Sequence, residues 1–413
     1  MVSFERHTLK NGLTVLAHYD ASTPMVTTNL MYKTGAKDES PEATGFAHLF
    51  EHLMFEGSVN IPVFDTPVML AGGENNAFTT NDITNYYITL PANNIETSFW
   101  LESDRMLGLN LTHAKLETQK RVVIEEYRQR YLNQPYGDLF LLLRPLAYKE
   151  HPYMWPTIGK DISHIEKADD STVAEFFRDH YVPENAILSV GGNIKPDDVF
   201  RLAEKWFAPV PAAKRKISNI RPEPAQKEKM EMTVHRDVPA NELLLAFHCG
   251  RRTDRDFYVL DLLTDMLSGC ESGRFANILI REKKLFSEID SYLTGESDPG
   301  LVIISARLRD GVDVSIAETA INEQIQLLCN EPASDHEIEK SRNRYESHNL
   351  MAMTSASNKA FNLAFFEMLG DASDINSESD KYMSVTKDEI METARKTFRP
   401  ENSSVIYYLA EKR

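Results

Sequence analysis

The chain has 413 residues, 42% of them hydrophobic and 26% charged, with a formal net charge of −17 at pH 7. That length exceeds one ordinary core and predicts two or more domains of a globular protein. The acidic balance argues against nucleic acid or an anionic membrane as the main partner, no run of eighteen apolar residues is present to span a bilayer, and Met1–His7 lacks the apolar core of a signal peptide, so a cytoplasmic location is expected.

The first predicted element is a hairpin: His7-Thr8-Leu9, the turn Lys10-Asn11-Gly12, then Leu13–Ala17. A further strand is predicted from Val26 to Tyr32. A helix follows, with Ser40 as N-cap, Pro41 in the first helical position, an apolar side formed by Phe46, Leu49, Phe50, Leu53 and Met54, and Gly57 as its end. It contains His48-Leu49-Phe50-Glu51-His52. On a helix, His48 and His52 lie one turn apart on one face and can grip one metal ion, and Glu51 stands beside them, placed to reach a metal-bound water without being a ligand. This is the H-x-x-E-H order.

Ala71-Gly72-Gly73 then opens into two polar strands, Asn75–Thr80 and Ile83–Leu90. An edge strand of this kind can hold an extended peptide through main-chain hydrogen bonds, but on pattern alone a plain hairpin is the favoured reading. Helices are predicted at about 94–107 and 113–133. In the second, Leu116, Gln119, Val122, Val123, Glu126, Tyr127 and Arg130 fall on one stripe, whereas Glu125 falls with Arg121 and Arg128 on the charged side. A carboxylate on a core-facing stripe is costly unless it is paired or coordinates a metal, so Glu126 is either an Arg partner or a third ligand. Two His and one Glu with an open position form the usual catalytic zinc set.

Residues 171–207 read as helix, turn, strand Ala186–Gly192 and helix. The Pro- and charge-rich stretch that follows reads as exposed linker. Phe398-Arg399-Pro400-Glu401-Asn402 echoes Tyr181-Val182-Pro183-Glu184-Asn185 at an offset of 217 residues, about half the chain. This predicts an N-terminal domain at 1–212, a linker at 213–229 and a C-terminal homologous domain at 230–413 without the metal motif. Cys249, Cys270 and Cys329 lack metal-like spacing and read as reduced thiols.

His48, Glu51 and His52, with Glu126 74 residues later, resemble the pitrilysin family of zinc peptidases. The likeness is to the small-subunit branch, which holds the mitochondrial processing peptidase β subunit and two-domain bacterial peptidases. It extends through Gly73, Asn76–Thr79, Asn133–Gly137, His151-Pro152-Tyr153 and Trp155–Gly159. The resemblance implies an α+β fold of two homologous α/β-sandwich domains, each a mixed, mostly antiparallel sheet packed with helices, related by a pseudo-twofold and forming half of a clamshell. It implies one zinc ion on His48, His52 and Glu126, with Glu51 as general base and Asn76, Ala77 and Phe78 on a substrate-binding edge strand. It further implies a metalloendopeptidase acting on short, unfolded peptides inside a closed chamber. Two positions depart from the family pattern. Gln119 stands where many relatives carry a glutamate behind the ligands, and is expected to orient a ligand without charge. Near Arg281, Ser287 or Glu288 stands where a substrate-steadying Tyr is expected, with Tyr292 at the wrong spacing. The expected partner is therefore a homologous subunit supplying an Arg/Tyr pair, the alternatives being a homodimeric peptidase or a scaffold subunit of the same fold.

Overall fold

The computed structural model describes residues 1–411. They form two compact units. The first comprises Met1–Leu132, Trp155–Arg221 and Leu350–Ser377; the second comprises Asn133–Met154, Pro222–Asn349 and the chain from Glu378 on.

The first unit is built on β1 (Glu5–Thr8), β2 (Thr14–Tyr19), β3 (Met25–Tyr32), β4 (Glu74–Thr79), β5 (Thr84–Pro91) and β6 (Ala186–Gly192), in the order β1-β2-β6-β3-β5-β4. β2 and β6 run parallel; every other pairing is antiparallel. The second unit has β7 (Met230–Arg236), β8 (Glu242–His248), β9 (Phe286–Leu293), β10 (Leu301–Leu308) and β11 (Ser403–Ala410), in the order β7-β11-β8-β10-β9. Here β7 and β11 run parallel and the rest antiparallel. The two sheets share one topology apart from β1, so both are mixed and mostly antiparallel, as expected.

The internal repeat extends well beyond its sequence signature. β3 and β8, β5 and β10, and β6 and β11 each begin 217 residues apart. So do the helices Asp170–His180 and Lys387–Thr397 that precede the last strand of each unit. In both copies the Pro-Glu-Asn turn buries its Asn. The Asn185 amide donates to the His180 carbonyl at 2.9 Å, and the Asn402 amide to the Thr397 carbonyl at 2.8 Å. That bond satisfies a helix-end carbonyl that would otherwise be orphaned, which is why the turn repeats while most of its neighbours differ.

Residues 211–229 form no helix or strand. Two segments depart from the boundaries 1–212 and 230–413. The helix Ala356–Leu369, expected in the second domain, belongs to the first unit, where Leu363 and Ala364 bury against Leu16, Met31 and Ile187. Gly191 permits that approach: a Cβ there would lie 2.9 Å from the Ala356 carbonyl oxygen. Conversely, the helix Leu139–Ala147 lays Leu143 and Leu146 on Leu244, Ile303 and Ile406 of the second sheet. An amphipathic stripe states that a face will be covered but not by which sheet.

Candidate metal centre

The helix that carries the two imidazoles is shorter than expected, Phe46–Leu53. Ser40 is not its N-cap: the Ser40 hydroxyl donates to Glu42 at 2.6 Å, and the helix begins six residues later after Gly45. Gly45 has φ +88°, and a Cβ there would stand 2.7 Å from the Ile158 carbonyl oxygen, so no capping side chain can occupy it. Phe46, Ala47, Leu49, Phe50 and Leu53 are buried. Phe50 stacks on Phe176 and Tyr181 with both centroids at 5.1 Å, and the Tyr86 hydroxyl donates to the Phe50 carbonyl at 3.3 Å. The apolar side thereby anchors the helix and turns His48 and His52 towards Glu126.

Glu126 lies in the last turn of the helix His113–Tyr127, immediately before a π-helical turn at Arg128–Leu132, a local widening often found at functional sites. Val122, placed on the inner stripe by sequence, is 43% exposed, and Lys120 is buried instead, donating to the Ala168 carbonyl at 2.9 Å. Glu126 itself points as expected. Its Oε2 is 3.4 Å from His52 Nε2 and 3.7 Å from His48 Nε2, and one ligand atom from each of the three residues lies within 4.8 Å of the other two. Its Oε1 receives Arg130 Nη1 at 2.9 Å. One carboxylate oxygen thus faces the two imidazoles while the other meets Arg130. The Arg130 side chain is 71% exposed, so that pair orients the carboxylate more than it stabilises the fold.

The electrostatics suit a cation. The hydrogen bond with His52, followed by the fields of His48 and Arg130, holds the Glu126 carboxyl below the usual carboxylate range. Burial pushes His48 down to about 4 against the pull of Glu126, so its imidazole is neutral at physiological pH, the form that ligates. Among the described residues, His48 Nδ1 has no hydrogen-bond partner. Two imidazoles and one carboxylate are the donor set that zinc takes in catalytic sites.

Glu51 lies beside these groups. Thr79 Oγ1 donates to its Oε2 at 2.6 Å, and burial raises its pKa above the normal carboxylate value despite that bond. Sequence reasoning missed Thr79, because a contact across 28 residues leaves no periodic trace. Thr79 ends β4, so the same edge strand that carries Asn76, Ala77 and Phe78 also fixes the carboxylate. Asn76 Oδ1 accepts from the Ala77 amide at 2.8 Å. The Phe78 ring packs on Phe361 at 5.6 Å, which makes it part of the unit's apolar packing. The Gln119 amide donates to Glu56 Oε1 at 2.5 Å, in the turn after the helix of His48 and His52. In the second unit, Arg281 is engaged by Asn277 and Glu271, both at 2.9 Å. Glu288 pairs with Arg307 at 3.2 Å, the Ser287 hydroxyl donates to the Arg307 carbonyl at 3.2 Å, and Tyr292 is 37% exposed on β9.

Residues 14–160 match the family model described as insulinase (peptidase family M16), and residues 169–345 match the one described as peptidase M16 inactive domain. Zinc protease PqqE of Helicobacter pylori is 27% identical over 411 residues, which span 98% of this chain and 92% of that protein. A probable mitochondrial-processing peptidase subunit beta of Arabidopsis thaliana is 22% identical over 362 residues, 85% of this chain and 67% of that one. The crystal structure of a protease from Helicobacter pylori shares the fold with a TM-score of 0.94 at 26% identity, over 99% of this chain and 100% of that one. No helix among the described residues is long and apolar enough to cross a membrane. The pairing of an H-x-x-E-H helix with a later inward Glu, on a sheet-plus-helix unit that is then repeated without the motif, agrees with both matches: the chain belongs to peptidase family M16, the insulinase and pitrilysin family.

Proposed function

We propose that this chain is a zinc metalloendopeptidase that hydrolyses short, unfolded peptides, with Glu51 as its general base. The observation that carries this reading is the convergence of His48, His52 and Glu126 within 4.8 Å, with a partly desolvated Glu51 beside them. Bound there, zinc would polarise a scissile carbonyl and lower the pKa of its water towards ~7. The chain's own residues do the rest. His48 and His52 offer Nε2, and Glu126 offers Oε2 while Arg130 holds Oε1. Thr79 occupies one Glu51 oxygen, leaving Oε1 to take a proton and later to give it to the leaving amine. The raised pKa of Glu51 makes it the stronger base. β4, at the sheet edge, has a backbone side that an extended peptide can join.

The chain supplies zinc ligands and base but no Tyr at the expected place near Arg281, which supports assignment as the zinc-bearing member of a pair, with a homologous subunit bringing Arg and Tyr. A homodimeric peptidase is the second possibility. A scaffold role would leave the four residues without use. The reading is tested by zinc content and by cleavage of an unstructured fluorogenic peptide. Wild type should hold one zinc per chain, Glu126→Gln should lose it, and Glu51→Gln should keep it while losing turnover. Wild-type protein that takes up no zinc would reject the enzyme. Full activity of the isolated chain, without a homologue lacking H-x-x-E-H, would reject the heterodimer.

A further inference from the structure

The helix that bears His48 and His52 cannot cap itself. Its N-cap is Gly45, in the left-handed region and pressed against Ile158, and Gly45 offers no side-chain acceptor. The amides at its start are met from elsewhere. Glu39 Oε2 accepts from the Gly45 amide at 2.9 Å, and Glu39 Oε1 accepts from the Ala47 amide at 2.8 Å. Glu39 is 6% exposed. No arginine, lysine or histidine pairs with it among the described residues; it is buried against the positive end of this helix and beside the Trp155 indole. Removing such a charge from water is costly, and burial accordingly pushes its pKa up to about 8 against the pull of the two amides. The catalytic proposal gives it no task.

We propose that Glu39 is a positioning residue for the metal centre: by holding the Gly45 and Ala47 amides it fixes the first turn of a two-turn helix, and so the place of His48 relative to His52. His48 is the third residue of an eight-residue helix and His52 the seventh, so one turn separates the two ligands and both ends are short. A frayed first turn moves His48 without moving His52. Side chains that orient metal ligands typically change affinity by about 10- to 100-fold when removed. In Glu39→Gln, one amide would face an NH2 group instead of an oxygen.

This inference rests on the proposed zinc site, and the test separates the two. Zinc affinity is measured by chelator competition on the full chain for wild type, Glu39→Gln, Glu39→Asp and Asp169→Ala. Asp169 caps the Asp170–His180 helix, away from the ligands, and serves as a control for general destabilisation. Expected results are about a tenfold loss of zinc affinity in Glu39→Gln, a smaller loss in Glu39→Asp, which keeps the carboxyl one methylene short, and no loss in Asp169→Ala despite its lower melting temperature. Amide exchange over residues 45–48 should quicken in Glu39→Gln without zinc, and not in Asp169→Ala. Unchanged affinity in Glu39→Gln, or the same loss in Asp169→Ala, overturns the positioning role while leaving the zinc site standing. Should Glu39→Gln not fold, unchanged affinity in Glu39→Asp overturns it equally. A wild type that binds no zinc fails the metal site and this inference together.

Discussion

The two units carry the same sheet order and differ where the metal centre would be. At the offset of 217 residues, the counterparts of His48, Glu51, His52 and Glu126 are Asp265, Ser268, Gly269 and Asn343. In place of a ligand cluster the second unit has an ion pair, Asp265 Oδ1 to Arg344 Nη1 at 3.2 Å. A Cβ at Gly269 would meet that pair at 2.1 and 2.6 Å, so a side chain in the place of His52 would have to displace it. Ser268, in the place of Glu51, donates to Asp290 at 2.8 Å. The lesson is that the sheet and its Pro-Glu-Asn turn tolerate either filling. The scaffold needs its buried strands and its buried Asn; the chemistry needs four side chains that the scaffold does not require.

The largest expected break in this comparison is catalytic. Glu51→Gln should lower kcat/KM by about 10²–10⁴-fold at unchanged zinc content, the usual contribution of a general base. Ser268→Ala should leave kcat/KM where it was. Equal effects of the two substitutions in a peptide-cleavage assay would remove the functional asymmetry between the units.

Next in size is a stability difference. Arg105 is 1% exposed, pairs with Glu102 at 2.6 Å and lies over the Phe64 and Tyr86 rings at 4.5 and 4.2 Å. Its counterpart in the second unit is the neutral Asn322. Arg105→Ala leaves Glu102 buried and unpaired and should cost about 3–5 kcal/mol in denaturant unfolding. Asn322→Ala should stay within about 0.5 kcal/mol. A small loss for Arg105→Ala would show that this pair does not support the first unit.

A third measurement probes what the units share. Asn185→Ala and Asn402→Ala each strand a buried helix-end carbonyl, at His180 and Thr397. Each should cost about 1–3 kcal/mol. If one cost is negligible and the other full, the repeat is a likeness of shape without a common energetic basis.

The last comparison concerns pH. Burial holds His180 down to about 4, whereas its counterpart Thr397 does not titrate. Because the folded pKa lies below the unfolded value, the unfolded chain binds more protons between pH 6.5 and 4. This contribution is therefore present above pH 6.5 and is lost as pH falls through that window. His180→Thr should flatten the fall in stability between those limits, read as melting temperature against pH in zinc-free buffer. An unchanged slope would remove His180 from the acid sensitivity of the first unit.

Much of the candidate site was legible from local spacing. His48 and His52 needed only a helix period, and Glu126 was separated from Glu125 by helical phase, which the structure bears out in the 3.4 Å approach of Glu126 to His52. The same phase argument misplaced Val122, because the partner covers less of the stripe than its apolar residues suggest. Ser40 and Pro41 looked like a helix start, but their hydroxyl and ring serve a loop, and the real start is capped from Glu39. Gln119 has the right face but bonds to Glu56.

The sequence by itself determined most elements, the two-fold repetition and three converging side chains, because alternation, helical period and turn chemistry all act between residues close in the chain. Only the tertiary structure decided that Ala356–Leu369 covers the first sheet and Leu139–Ala147 the second, that Thr79 holds Glu51, and that Glu39 rather than Ser40 meets the Gly45 and Ala47 amides. Those choices depend on which apolar faces and which orphaned polar groups meet across long stretches of chain, and no local pattern encodes the partner.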